Sequence, residues 1–364
     1  MKGSAQGSVA VPESTEKAGL STRDATFDVY RGLAILCVVM LHVQAVGFNF
    51  WDAPAGRWNF WYTLATRQFV LVAVPCFVLM SGYWLGATTF RSALDYRTFL
   101  KRRLSRILIP YLIWSLVFIV LVSIHERSFS ISGALWKLVL GQAQAQYYFI
   151  VMLLQFYVLM PLFSRLADAK HGLRWALLIH LGFGGLLYWS RLYCKGMSSS
   201  YYQLPFLAWF LYFYLGVFLR RNPARLDRLS VPLLSVLLGL SVVLSFVESA
   251  ILLRFDYFEI AVSSYKLSSY GYSTFLLLLL LKLKTIRWPR FLIILGDYSF
   301  GLYLIHTVVY RTFNFFAKRV HFLFNVQPLY QVLLTVLTLS VCSGIIWVVR
   351  KKLGEKNSRA LLGF

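Results

Sequence analysis

The stretch FDVYRGLAILCVVMLHVQAVGF, residues 27–48, is an apolar run that contains two basic side chains, Arg31 and His42. They are eleven residues apart, just over three helical turns, so a helix places them on one face about 16 Å apart along its axis. Ionisable groups inside a membrane segment are costly and mark functional sites by default. We expect Arg31 near one membrane surface and His42 deeper, both lining one passage through which an anionic ligand reaches the imidazole.

The composition is that of a polytopic membrane protein. Of the 364 residues, 59% are hydrophobic and 17% are aromatic, which is more than a soluble core requires. The formal net charge of +23 would suggest a nucleic-acid partner for a soluble chain. Here the Lys and Arg residues lie mainly in short loops between apolar runs. No nucleic-acid motif accompanies them, so we predict no nucleic-acid partner.

Ten apolar runs approach the length of about 20 residues that is needed to cross the hydrocarbon layer. The predicted spans are 29–48, 69–88, 104–125, 146–166, 173–189, 204–220, 230–251, 263–281, 291–313 and 327–349. With the N-terminus inside, 25 of the 37 Lys and Arg residues fall on the cytoplasmic side and 11 on the outer side, as the positive-inside rule requires. We therefore predict an all-α polytopic protein with about ten transmembrane helices and both termini cytoplasmic.

The chain divides into one transmembrane domain, residues 26–350, and two tails. Residues 1–25 are polar and show no cleavable signal pattern, which predicts a disordered cytoplasmic tail. Residues 351–364 form a basic tail that we also expect in the cytoplasm. The cysteines show neither a CxxC pair nor a zinc spacing, so we expect no disulfide framework and no metal. They are Cys37, Cys76, Cys194 and Cys342.

His42 is the leading catalytic candidate. A lone intramembrane histidine is as readily a packing residue, hydrogen-bonded to a neighbouring helix, as a functional one. Arg31 on the same face favours function, although snorkelling to the headgroups would also explain its charge. A neutral imidazole there would act as a general base toward a hydroxyl or as a nucleophile. Asp28, three residues before Arg31, is placed to pair with it.

A second basic cluster precedes the third predicted span, in the stretch LKRRLSRILIPY, residues 100–111. Arg103 and Arg106 lie three residues apart, with Arg102 beside them. Lipid headgroups and the positive-inside rule explain such a cluster, and its spacing alone favours that interpretation. The same guanidinium groups would also bind the phosphates of a nucleotide-like donor bidentately.

Two further segments carry polar candidates. In VPCFVLMSGYWLG, residues 74–86, Pro75 would loosen the helix and free backbone carbonyls. Ser81 and Gly82 would allow a close backbone approach there, although ordinary small-residue packing explains them equally well. The ninth predicted span carries three polar side chains that share one helical face: Ser299, Tyr303 and His306.

Taken in order, these segments resemble the acyltransferase type 3 family of integral membrane acyltransferases. The resemblance covers nearly all of residues 24–350. It is based on D-x-x-R-G at Asp28 to Gly32, the Arg31 and His42 pair with ten residues between them, PCFVLMSGYWLG, RRLSRILIPY and SFGLYLIH. As a whole the chain is similar to xanthan-type exopolysaccharide acetyltransferases.

The resemblance implies an acyl-CoA donor on the cytoplasmic side, usually acetyl-CoA, and acceptors such as the sugars of surface polysaccharides. The essential histidine of the family maps to His42, its paired basic residue to Arg31, and its Arg-x-x-Arg pair to Arg103 and Arg106. Many family members carry an appended soluble hydrolase-like domain that completes the transfer outside. This sequence shows none, so we expect it to act directly on its acceptor.

The fourth predicted span departs from the pattern of some family branches. Those branches carry an acidic residue before a Q-F-Y-like triplet, where this chain has Leu153 and Leu154 ahead of Gln155. An amide supplies hydrogen bonds but cannot exchange a proton. A mechanism that needs a carboxylate at this point is therefore not predicted here.

The sequence thus predicts an O-acetyltransferase of the cytoplasmic (inner) membrane that moves an acetyl group from acetyl-CoA to a sugar hydroxyl of an exopolysaccharide or lipid-linked oligosaccharide precursor. The CoA phosphates would bind Arg102, Arg103 and Arg106, with Arg31 at the cavity mouth and His42 as base or acyl carrier. Positions that would support the substrate or the structure are Asp28, Ser81, Gln155, Ser299, Tyr303 and His306.

Two other classes of protein fit the same residues. A secondary transporter or flippase for an anionic or glycan substrate would also bury His and Arg along its pathway. A scaffold subunit of a polysaccharide-assembly complex is the third option, and it predicts no effect of a His42 substitution on an intact fold.

Overall fold

The computed structural model describes residues 25–50, 57–193, 204–283 and 288–364, and every regular element in these ranges is a helix. Eighteen α-helices follow one another, with 3-10 turns at Ala45–Phe50, Ala145–Tyr147 and Phe206–Trp209. They are α1 Ala25–Gln44, α2 Arg57–Val70, α3 Ala73–Leu85, α4 Ala93–Glu126, α5 Ile131–Val139, α6 Tyr148–Val158, α7 Met160–Asp168, α8 Gly172–Tyr193, α9 Phe210–Arg221, α10 Pro223–Asp227, α11 Val231–Arg254, α12 Phe258–Ala261, α13 Leu267–Lys282, α14 Arg290–Asp297, α15 Ser299–Ala317, α16 His321–Asn325, α17 Gln327–Leu353 and α18 Glu355–Leu362. The predicted all-α class is confirmed.

Five of the helical stretches in the described ranges are long and apolar enough to cross a membrane. They are Thr26–Phe50, Arg57–Leu85, Ala93–Glu126, Val231–Arg254 and Gln327–Leu353. The number rises to seven if each of two bent pairs counts as one span: Ala145–Val158 with α7, bent by 59°, and α14 with α15, bent by 85°. Each of the ten predicted spans overlaps a helix or a helix pair. Ten crossings and cytoplasmic termini nevertheless stay predictions.

The second predicted span begins twelve residues too late, because α2 already starts at Arg57. Its first turns are polar and escape a hydropathy search. Polar side chains in these turns bond to the end of α16 and to α17: Asn59 Nδ2 donates to the carbonyl of Asn325 over 2.9 Å, and Gln331 Nε2 donates to Thr63 Oγ1 over 2.8 Å. Buried polar groups need such partners in an apolar surrounding, so α2 is polar where it meets the rest of the bundle.

The predicted effect of Pro75 is visible between α2 and α3. Proline has no backbone N–H, so the carbonyl of Leu71 loses its intrahelical donor. Ser264 Oγ supplies the missing hydrogen bond to this carbonyl over 3.3 Å. Tyr272 donates in the same region to the carbonyl of Phe69 over 2.7 Å. The freed carbonyl of Leu71 therefore attaches the break between α2 and α3 to the turn before α13, and the carbonyl of Phe69 attaches the end of α2 to α13 itself.

Helix α1 is central to the bundle and packs against α2, α3, α14, α15 and α17. Its closest crossing is with α14, where Gly32 lies against the carbonyl of Leu292 and Gly296 lies against the carbonyl of Asp28. A Cβ atom at either glycine would overlap that oxygen. The two backbones can approach so closely only because both glycines lack a side chain. This crossing sets Arg31 beside the bend between α14 and α15.

The predicted close approach at Gly82 is also confirmed. Gly82 of α3 lies against the backbone of Phe213 in α9, and Gly216 of α9 lies against the carbonyl of Leu79. Helix α3 is thereby held between α1 and α9. Its Ser81 side chain faces the cavity described below.

The C-terminal segment that the sequence predicts as a basic tail is folded onto the bundle. The chain turns at Gly354, whose φ of 76° favours glycine, and continues as α18 against α4 and α17. Phe364 is only 1% exposed. The predicted N-terminal tail lies outside the described residues, apart from the start of α1.

Three of the four cysteines lie in the described part of the chain. Cys37, Cys76 and Cys342 are buried and free. Cys194 lies outside the described residues. Within those residues no three His, Cys, Asp or Glu side chains come together as a metal group.

We expect Gly296→Ala to destabilise the protein by roughly 1–3 kcal/mol, because the added methyl group must displace the backbone of α1. Gly239→Ala is the matched control, since nothing lies within 4 Å of a Cβ atom at that helical glycine. Thermal unfolding of the detergent-solubilised variants measures both changes. Equal unfolding midpoints for the two variants would contradict the close contact of Gly296 with α1.

Candidate active site

A cavity of about 610 Å³ opens at the end of the bundle that carries Arg31. Helices α1, α3, α4, α6, α15 and α18 all contribute side chains to its wall. The lining residues are Phe27, Asp28, Arg31, Phe77, Met80, Ser81, Trp84, Leu85, Arg103, Arg106, Ile107, Phe149, Ile150, Leu153, Tyr157, Ser299, Phe300, Tyr303 and Arg359. The wall is therefore mostly apolar and aromatic, with its charges on a few side chains.

The charged part of the lining is strongly positive. Four arginines line the cavity, Arg31, Arg103, Arg106 and Arg359, against one carboxylate, that of Asp28. The predicted pairing of Asp28 with Arg31 is confirmed at 3.5 Å from carboxylate Oδ1 to Nη1. This single carboxylate leaves an excess of positive charge in a partly closed space, where an anion is attracted more strongly than in open water.

Arg102 does not share the cavity with its neighbours. It is exposed and is not among the lining residues, whereas Arg103 and Arg106 are. The predicted phosphate site of three arginines is therefore too broad, since only Arg103 and Arg106 of the three line the cavity.

The inner wall contains three of the polar candidates. Ser81, Ser299 and Tyr303 all line the cavity. The Ser81 hydroxyl donates to the carbonyl of Phe77 over 2.8 Å, within its own helix. Tyr303 donates its hydroxyl hydrogen to the carbonyl of Gln146, which holds the ring in place.

His42 is not among the lining residues of the cavity. Its ring lies 5.0 Å, centroid to centroid, from the ring of His306, at an interplanar angle of 53°. The His306 ring is in turn 6.3 Å from the ring of Tyr303, which lines the cavity. The cavity does not reach His42, and the rings of Tyr303 and His306 form a chain of contacts from the cavity to His42. A single passage from Arg31 to His42 stays a prediction.

The surroundings of His306 select its tautomer. Nδ1 lies 3.0 Å from the carbonyl oxygens of both Leu302 and Tyr303. Carbonyls only accept hydrogen bonds, so we assign the proton to Nδ1, which leaves Nε2 as an acceptor. Nε2 is buried and has no hydrogen-bond partner among the described residues. An acceptor nitrogen is therefore available beside His42.

Arg67 is a site residue that the sequence analysis missed. Its guanidinium donates to the carbonyl of Leu41 over 2.7 Å and to that of Val262 over 3.1 Å. It lies within electrostatic range of the His42 imidazole, as does Arg311. Both arginines appear in the sequence analysis only among the charges on the outer side. Their distance from His42 along the chain gives no sign that they meet it.

Gln155 has a structural position and is not part of the cavity lining. Its amide donates to the carbonyl of Leu204 over 2.9 Å and accepts from the backbone N–H of Phe206 over 3.2 Å. Leu153 lines the cavity instead. The position where some family branches carry an acid therefore contributes an apolar side chain to this wall.

These residues agree with the comparisons with known proteins. The model of the acyltransferase type 3 family, described as an acyltransferase domain, matches residues 24–347. The chain therefore belongs to this family of membrane acyltransferases, and the resemblance seen in the sequence is confirmed.

The chain is also similar to two curated proteins. A probable poly-β-1,6-N-acetyl-D-glucosamine export protein of Staphylococcus aureus (strain Mu50) is 28% identical over 256 residues, which cover 67% of this chain and 70% of the relative. The nodulation protein NolL of Sinorhizobium fredii is 32% identical over 98 residues, 27% of this chain and 25% of the relative. No solved structure matches the chain.

The excess of positive charge should be measurable with a cysteine at Ser81. We expect Ser81→Cys, in a Cys194→Ser background, to react about tenfold faster with an anionic methanethiosulfonate than with a cationic one, because arginines concentrate anions in the cavity. Added salt should reduce the preference. Labelling rates followed by mass spectrometry provide the measurement.

Ser132→Cys is the control, since Ser132 is exposed on α5 and outside the lining. It should show little charge preference. The same preference at both positions would mean that the reagents sense the net charge of the protein and not the cavity.

Proposed function

We propose that this protein is an acyl-CoA-dependent O-acyltransferase, with acetyl-CoA as its donor, that acetylates a sugar hydroxyl of an exopolysaccharide or of its lipid-linked precursor in the cytoplasmic membrane. One observation carries the proposal: an arginine-rich cavity whose apolar inner wall ends at Tyr303, next to a pair of histidines. Membership of the family supports acyl transfer as the reaction.

The mouth of the cavity suits the nucleotide end of the donor. CoA carries a diphosphate and a ribose phosphate, and the guanidinium groups of Arg31, Arg103 and Arg106 bind such groups bidentately. Trp84 lines the same cavity and is 54% exposed, so its ring offers a surface on which adenine can stack. The positive-inside rule puts this end in the cytoplasm, where acyl-CoA is made.

The inner wall suits the uncharged arm of the donor. Phe77, Met80 and Phe149 form an apolar lining between the arginines and Tyr303, and burial of methylene groups against them is favourable. Because Tyr303 closes the wall in this conformation, transfer requires its ring to turn aside. The thioester would then lie beside His306 and His42.

His42 is the proposed general base. It takes the proton of the acceptor hydroxyl while the oxygen attacks the thioester carbonyl carbon. The carbon–sulfur bond then breaks, CoA leaves as a thiolate, and the imidazolium returns the proton to that sulfur. A two-step route in which His42 first carries the acetyl group gives the same products.

His306 is the proposed positioning residue for His42. Its Nδ1–H is bound by two carbonyls, so its Nε2 can accept a hydrogen bond from one nitrogen of His42. That bond would leave the other nitrogen of His42 with its lone pair toward the acceptor, as base catalysis requires. The imidazole pair thus supplies the proton transfers of the proposed mechanism.

We propose that the acceptor approaches His42 from the end of the bundle opposite to the arginines. His42 lies in the last turn of α1, about 16 Å along the axis from Arg31. A donor that enters past Arg31 and an acceptor that enters from the other end meet at the histidine pair. The relative from S. aureus bears the name of a polysaccharide export protein, which supports a glycan as the acceptor.

The same name supports a second candidate function, glycan export without acyl transfer. Isotope-labelled acetyl-CoA, added to the purified protein in proteoliposomes with a glycan extract, separates the two. We expect the label to appear in the glycan. Movement of glycan across the membrane with all label retained on CoA would favour export and overturn the proposed reaction.

His42→Ala should lower the initial rate of acetylation by roughly 10²- to 10⁴-fold, because it removes the base. His125→Ala, at an exposed histidine near the end of α4, is the control and should retain the full rate. Acetyl transfer is measured with labelled donor, at matched expression and thermal stability. A normal rate for His42→Ala would remove His42 from the mechanism.

Arg103→Ala and Arg106→Ala should each raise the KM for acetyl-CoA about tenfold with little change in kcat, since each loses about one charge-assisted contact to phosphate. Arg102→Ala removes the same charge outside the cavity and should leave the KM unchanged. If all three variants behave alike, the arginines act through net charge at the membrane surface and not as a phosphate site.

A further inference from the structure

Helix α18 lies beyond the segment that the family model matches, which ends at residue 347. It nevertheless contributes Arg359 to the lining of the cavity. The inference drawn below rests on the function proposed above, and it concerns what this appended helix adds to the donor site.

Several contacts hold α18 in place on the bundle. Trp114 Nε1 donates to the carbonyl of Leu362 over 3.1 Å, and the Phe364 ring lies 5.8 Å from the Trp114 ring. Ser358 is fully buried on the inner side of the helix. The turn at Gly354 and these contacts with α4 make α18 a defined part of the cavity mouth.

Two carboxylates orient the Arg359 side chain. Nη2 of Arg359 lies 2.8 Å from Asp297 Oδ1 and 2.6 Å from Glu355 Oε1. Its other donors, on Nε and Nη1, have no hydrogen bond within the described ranges. The side chain is 44% exposed. One nitrogen of the guanidinium is therefore held while its remaining N–H groups stay available at the cavity.

Anchoring of the bend between α14 and α15 does not require Arg359. Asp297, at this bend, already pairs with Arg350, which is more deeply buried, at 13% exposure of its side chain against 44% for Arg359. Half-exposed ion pairs contribute little to stability. Arg359, the second arginine on Asp297, thus contributes less to stability than to the charge of the cavity. It adds a cation to those of Arg31, Arg103 and Arg106.

We propose that Arg359 is a donor-binding residue, supplied by α18, whose Nε and Nη1 groups bind a phosphate of the acyl-CoA. Asp297 and Glu355 hold the guanidinium at the mouth, so less side-chain freedom is lost when the phosphate binds. The C-terminal helix thereby completes a phosphate site that the matched domain contains only in part.

Binding of CoA to the full-length protein in nanodiscs, followed by calorimetry, tests this assignment. Arg359→Ala should weaken CoA binding about tenfold, the effect of losing one charge-assisted hydrogen bond. Lys356→Ala, which removes an exposed cation of the same helix, should bind as the wild type does. Equal affinity of Arg359→Ala and wild type would overturn the proposal.

Glu355→Gln separates phosphate binding from a merely structural role. This variant loses one anchor of Arg359 but keeps the guanidinium. It should weaken CoA binding by less than Arg359→Ala does, because Asp297 still holds the guanidinium, whereas a structural role predicts a loss that parallels Arg359→Ala. An N-acetylcysteamine thioester, which has no phosphate, provides a second readout, because Arg359→Ala should use this donor at the wild-type rate.

The same titration distinguishes failure of this inference from failure of the proposed function. A folded wild-type protein that does not bind CoA would refute the donor itself. Wild-type binding that Arg359→Ala leaves unaltered would refute only the part assigned to α18.

Discussion

Close backbone packing between α1 and α14 is the constraint on which the candidate site depends. Gly32 and Gly296 each lie against a backbone carbonyl of the other helix, in the space that a side chain would otherwise occupy. This contact brings Arg31 to the bend that starts α15, so that Ser299 and Tyr303 of α15 line the same cavity as Arg31. It also keeps α15 alongside α1 as far as the last turn of α1, where the ring of His306 contacts the ring of His42. The glycine of the D-x-x-R-G motif is thus a packing residue that positions the arginine before it.

Charge is distributed unequally along this axis. The mouth of the cavity holds several guanidinium groups in a partly closed space with Asp28 as the carboxylate among its lining residues, and like charges so placed repel one another. A phosphate-bearing ligand relieves that repulsion. The inner wall carries no such excess, so a charged ligand would have to leave its charges at the mouth and extend an uncharged arm inward.

A buried lysine elsewhere in the bundle shows how polar side chains of several helices satisfy one another. Lys266 is fully buried, and its ammonium donates to Gln68, Ser249 and both the carbonyl and the hydroxyl of Ser245. These bonds join α2, α11 and the start of α13. His306 Nε2 has no hydrogen-bond partner among the described residues, and the same is true of both ring nitrogens of His180. What distinguishes His306 is its contact with the ring of His42.

The amino-acid sequence alone was enough to predict the all-α class, the family, the Asp28–Arg31 pair and the membership of Arg103 and Arg106 in a common cluster. These features depend on neighbours within a few helical turns, which periodicity and motifs report directly. The helix packing shows that Arg102 is outside the cavity lining, that the rings of Tyr303 and His306 connect the cavity with His42, and that Arg359 joins its mouth. The last two contacts join residues hundreds of positions apart, and they follow from helix crossings and bends that leave no local trace in the sequence.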